Sequence, residues 1–169
     1  ATSFGELMEQ SLPRITNDPE RFGEQLVVDE DESIMAELDL HLLSASSLSL
    51  DEIVLACHER GGLAIAAHID RAHHGLIAQL GFVPDISLDA VERVKSASAP
   101  GAVTSLAVGG PDAAVIANSD AHFPQDICKR WTAYDMPTAS FAGLAQALAR
   151  LRNGEASAAR PCFGQGLSS

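Results

Sequence analysis

The sequence predicts an α/β fold with parallel strands, and three observations lead to it. A capped helix passes through a double glycine into Leu63-Ala64-Ile65-Ala66-Ala67, an apolar run of strand length. A second such run, Ala113 to Ala117, leads directly into Asn118-Ser119-Asp120-Ala121-His122. A final amphipathic helix follows, with Phe141, Leu144, Leu148 and Leu151 along one face. Strands that are apolar throughout need cover on both faces, which is the condition of a parallel sheet.

Each element has a local cause. Phe4, Leu7, Met8 and Leu12 follow helical spacing, Pro13 stops the run, and Asn17-Asp18-Pro19 is turn chemistry. Gln25 to Val28 reads as a short strand, closed by the four carboxylates Asp29 to Glu32. That cluster is a solvated turn, because no glycine or spaced aspartate pattern shapes a calcium loop. Ser49 and Glu52 form a capping box, with Leu50, Ile53, Val54 and Cys57 on one helical face. Gly61 and Gly62 end that helix.

Further on, a helical stretch covers Ala72 to Leu80 and ends at Gly81, and Leu88 to Val94 forms another strand. Residues Ser96 to Gly110, rich in Ala, Ser, Gly and Pro, read as a loop or weak helix. Trp131 to Asp135 is a further strand, Asn153-Gly154 closes the last helix, and the polar tail beyond it is expected to fray. The expectation is one domain over 1–169, with a lead-in at 1–48, an α/β core at 49–154 and a tail at 155–169.

The formal charge of −12, from 11 basic and 23 acidic residues, argues against a broad basic face for duplex nucleic acid or anionic lipid. It leaves a phosphate substrate open, because bound divalent cations reverse the local potential. Cys57, Cys128 and Cys162 lie far apart, odd in number and without a CxxC pair, which argues against a disulfide framework or a structural zinc knot. The longest apolar run is too short to span a bilayer, and the first residues lack a basic and an apolar signal region. A cytoplasmic protein is expected. The chain begins with Ala1, so the natural start is expected upstream.

Chemistry gathers where the two apolar strands end: His68 on one, Asp120 and His122 on the other. In parallel α/β folds the C-terminal strand ends converge on the active-site face. Residues two apart in extended backbone project to one side, so Asp120 and His122 can reach one cavity. A carboxylate with imidazoles suits zinc, manganese or iron. From the residues alone, a metal role and a structural role stand side by side.

Ser119-Asp120-Ala121-His122 resembles the last metal motif of the PHP (polymerase and histidinol phosphatase) family. The run from Gly61 to Arg71 is similar to that family's preceding histidine motif, and Leu80 to Pro84 and Asp126-Ile127 resemble its stand-alone bacterial members. The resemblance spans Phe22 to Leu148. It implies part of an irregular β/α barrel related to the amidohydrolase barrel. It also implies metal-dependent hydrolysis of phosphate esters, with His68, Asp120 and His122 as metal ligands. Arg71 would then lie near the phosphate of a phosphate-ester or nucleotide substrate, with a surface ion pair as its other reading.

The family's opening His-x-His strand, its Asp-His turn and its glutamate have no counterpart here. The resemblance therefore implies a C-terminal portion with part of the metal site and little activity alone. Its partner is either a missing N-terminal half or a second copy of the chain. The alternative is a non-catalytic PHP-like module for binding or assembly. A thiol hydrolase using Cys57 or Cys128 is a third reading, weakened because Cys57 lies on the apolar face of its helix.

Overall fold

The computed structural model describes residues 2–95, 113–155, 157 and 159–162. These gather into two compact units, Ala1–Ala56 and Cys57–Ser169. The segment Ser96 to Gly110 lies outside the described residues.

In the first unit, helix α1 (Phe4–Ser11) starts at a reciprocal cap. Ser3 Oγ accepts from Glu6 N at 3.1 Å, and the Glu6 carboxylate accepts from Ser3 N at 2.7 Å. A short helix, α2 (Pro19–Phe22), follows the predicted turn. Strand β1 (Leu26–Val28) pairs antiparallel with β2 (Ile34–Glu37). The acidic run between them is the expected turn, shaped from within: the Asp29 carboxylate accepts from Asp31 N and Ser33 N. All seven residues of the hairpin strands are exposed, with Ile34 at 64% and Met35 at 67%.

Helix α3 (Leu50–His58) forms where the capping box placed it, with the Glu52 carboxylate accepting from Ser49 N at 2.7 Å. Gly61, at φ +72°, takes the left-handed conformation that ends this helical run.

The second unit is built on three parallel strands in the order β3 (Ile65–Ala66), β4 (Ala90–Glu92) and β5 (Ala114–Ile116). The parallel α/β class predicted from the apolar runs is therefore present. Among the described residues the sheet has three strands and does not close into a barrel. The strands are shorter than the apolar runs that contain them. At the entry of β3, Ala64 is held by Asp89, whose carboxylate accepts from Ala64 N at 2.7 Å and pairs with His58 Nε2 at 2.8 Å. Arg152 stands 3.5 Å from the other Asp89 oxygen.

Between β3 and β4 the helix is α4 (Leu76–Leu80), shorter than the predicted Ala72–Leu80. Residues 72–74 form a turn region in which His74 is left-handed at φ +61°. Gly75 then packs so tightly that an added Cβ would lie 2.4 Å from Arg71 O.

Helix α5 (Phe141–Arg152) starts at Ser140, whose Oγ accepts from Gly143 N, and closes the core. Ala90, Ala114, Ile116 and Leu148 are buried together, with Leu63, Tyr134, Leu144 and Leu151 against them. Strand β6 (Trp131–Tyr134) pairs antiparallel with β7 (Ala159–Cys162). Residues 159–162 were expected to fray; pairing with β6 orders them instead.

Candidate functional site

The three parallel strands deliver their C-terminal ends side by side. Ile69 N donates to Glu92 O and Arg93 N donates to Ile116 O, each at 2.9 Å, so backbone hydrogen bonding continues beyond the strands. His68 follows β3, and Asn118-Ser119-Asp120 follows β5. His68 and Asp120 are both left-handed, at φ +33° and +49°. Such backbone is costly for a residue with a Cβ, and it persists only where surrounding contacts impose it.

Those contacts are visible at Asp120. Arg71 Nη1 donates to its Oδ2 at 2.5 Å. Upstream, Arg130 Nε donates to Asn118 O at 3.1 Å and Arg130 Nη2 to Ser119 O at 2.9 Å. Thr132 Oγ1 accepts from Ala117 N and donates to Ala117 O, which fixes β6 to the same strand exit. Downstream, His122 Nδ1 meets Asp120 O at 2.8 Å and lies 4.0 Å from Asp120 Oδ1.

These groups line a cleft of about 390 Å³, together with Val94, Phe123, Asp126 and Lys129. Lys129 Nζ pairs with Asp126 Oδ1 at 2.5 Å. The hydrogen bond from Lys129 holds the Asp126 carboxyl below the usual carboxylate range. The cleft thus combines three cationic side chains, two carboxylates and an imidazole in a chain of net charge −12. A larger hollow of about 560 Å³ lies in the first unit, lined chiefly by Met8, Leu12, Leu38, Leu40 and Leu42. Its lining is mostly aliphatic with one charged residue, Glu9, so the charged cleft is where chemistry can occur.

Of the residues singled out from sequence, Arg71, Asp120 and His122 meet at this cleft. His68 is not among its lining residues, and among the described residues its buried Nδ1 has no hydrogen-bond partner. Among the described residues, no three His, Cys, Asp or Glu side chains gather into a group that could hold a metal ion. Sequence reasoning missed Phe123, Lys129 and Arg130. The available signal was the Lys129-Arg130 pair, a basic doublet shortly after Asp120-Ala121-His122 in an acidic chain.

The stretch from β5 through α5 is also where the chain meets a known family. Residues 112–153 match the family model described as PHP-associated, PHP_C. This PHP-associated segment contains Asp120, His122, Phe123, Lys129 and Arg130, while His68 and Arg71 lie outside it. It agrees with the C-terminal PHP portion that the Ser119 to His122 motif implies. No match to a curated protein or to a solved structure was found. No helix among the described residues is long and apolar enough to cross a membrane.

Proposed function

We propose that the cleft binds phosphate esters and that the chain is the C-terminal portion of a PHP-type metal-dependent phosphoesterase. The observation that carries this reading is the convergence of Arg71, Lys129 and Arg130 on the cleft that also holds Asp120 and His122. Guanidinium groups suit phosphate oxygens because their planar donors engage two at once. An electropositive cleft in an otherwise acidic molecule also concentrates anions locally.

The donor set supports a divalent ion only in part. Asp120 and His122 supply one carboxylate and one imidazole at the cleft, a mixed pair suited to manganese, zinc or iron. Tight binding needs further ligands. His68, whose Nδ1 has no partner among the described residues, is one candidate within this chain, and the remainder would come from outside it. A bound divalent cation would polarise the phosphoryl oxygens. The chain's own residues orient the ester: the cationic side of the cleft draws the phosphate in, and Arg71 fixes the Asp120 carboxylate.

A second reading, a non-catalytic PHP-like binding module, draws on the same Arg71–Asp120 contact, which already occupies the carboxylate a metal would need. One experiment separates them. The purified chain is titrated with inorganic phosphate and with manganese, and its turnover of 4-nitrophenyl phosphate is followed. The phosphoesterase reading expects phosphate binding, manganese binding lost in Asp120→Ala, and weak turnover abolished by chelation. Phosphate binding with neither manganese uptake nor turnover selects the binding module. Turnover that survives chelation but not thiol alkylation would replace both with a cysteine mechanism.

A further inference from the structure

We infer that Arg130 is the residue that receives the oxyanion of the ligand. This rests on the reading that the cleft takes phosphate esters, and it differs from the expectation that Arg71 meets the phosphate. The distinction comes from what each cation already holds. Arg71 is spent on the Asp120 carboxylate at 2.5 Å, and Lys129 on the Asp126 carboxylate at 2.5 Å. Each pair is close to neutral as a unit. Arg130 donates instead to two backbone carbonyls, of Asn118 and Ser119, and among the described residues it makes no ion pair with a carboxylate. Carbonyl dipoles orient a guanidinium without cancelling its charge. Arg130 therefore brings a full positive charge to the cleft.

Its geometry is prepared as well. A guanidinium carries five N–H donors in a rigid fork. The two hydrogen bonds found use Nε and Nη2, which leaves Nη1 and the second Nη2 hydrogen to point elsewhere. The neighbouring backbone is held by the double hydrogen bond between Thr132 Oγ1 and Ala117. A long side chain fixed in advance loses little freedom on binding, and this raises affinity compared with a mobile lysine. His122 and Phe123, at 62% and 63% exposure, flank the cleft on the segment that follows Asp120 and leave it open to an incoming ester. Arg71, by contrast, acts as a positioning residue for Asp120.

The test uses the whole chain and inorganic phosphate as the probe. Arg130→Gln is expected to weaken phosphate binding by about tenfold or more, the loss of a charge-assisted contact. Arg14→Gln, an exposed arginine of the first unit, controls for the change in net charge. A second measurement needs no substitution. Phosphate should protect Arg130 from a dicarbonyl reagent specific for guanidines, with each arginine followed by peptide mass spectrometry. Unchanged affinity in Arg130→Gln, or protection that falls on other arginines while Arg130 reacts freely, overturns the assignment and leaves the phosphate cleft standing. If the unaltered chain binds no phosphate, the cleft reading falls and this inference with it.

Discussion

Arg71 and Asp120 lie 49 positions apart in sequence and meet through a hydrogen bond of 2.5 Å, joining the exits of β3 and β5. The pair is open to water on the Arg71 side, whose side chain is 45% exposed against 23% for Asp120. An ion pair this accessible adds little to stability. Asp120→Asn and Arg71→Met are each expected to cost no more than about 1 kcal/mol in urea denaturation. A loss of several kcal/mol would mean that the contact holds the fold together.

Gly75 should be the least tolerant position of the β3–α4 turn. A methyl group there would sit 2.4 Å from Arg71 O and 2.9 Å from both Arg71 N and Ile69 O. These are backbone atoms that cannot rotate away. Gly75→Ala is expected to destabilise by about 1–3 kcal/mol and to displace Arg71 from Asp120. Thermal melting reads the first effect. The second appears as changed reactivity of Arg71 towards a guanidine-specific reagent.

Asp89 ties the end of α3 to the entry of β3. Its carboxylate, 15% exposed, accepts from Ala64 N and pairs with His58. Removing it strands a part-buried backbone donor, so Asp89→Ala is expected to cost about 1–3 kcal/mol. Asp89→Asn keeps an acceptor oxygen and should cost less. Equal losses in the two variants, measured by chemical denaturation, would assign the effect to the charge.

The helix caps set an acid dependence. Hydrogen bonds from Ser3 and Ser49 hold the Glu6 and Glu52 carboxyls below their ordinary value of 4.5. A depressed folded-state value means that this contribution is complete above the unfolded value. It fades as pH falls through the lower folded one. Helical circular dichroism should therefore decline below about pH 4.5. Glu6→Gln and Glu52→Gln should flatten that decline while leaving the neutral-pH signal nearly intact. Identical acid limbs in variants and parent would remove the caps as its cause.

The parts of the fold readable in the sequence were those that carry their cause locally. The apolar run before Asp120 announced β5, and Phe141 to Leu151 announced α5, because burial on a sheet or against one face selects those patterns. Strands β2 and β7 had no such mark. Ile34-Met35-Ala36-Glu37 does not alternate, and Ala159-Arg160-Pro161-Cys162 contains a proline that only a strand at a sheet edge tolerates. Both are strands because of what they pair with.

The site divided in the same way. Asp120 and His122, singled out from their spacing at a strand end, both line the cleft. Arg130 was not, because its acceptors are the carbonyls of Asn118 and Ser119, which have no side-chain signature. Arg71 was read from sequence either as lying near a phosphate or as a surface ion pair; the pair is present, but its partner, Asp120, lies 49 positions away and has no local signature.

The bare ribbon of β1 and β2 has a practical consequence. Leu26, Val28, Ile34 and Met35 are 40–67% exposed, on a sheet that among the described residues has two strands and no third on either edge. Stock solutions of this chain should keep best when dilute and should lose dispersed protein on storage by edge-to-edge stacking. A lysine introduced at Met35 should lengthen their useful life.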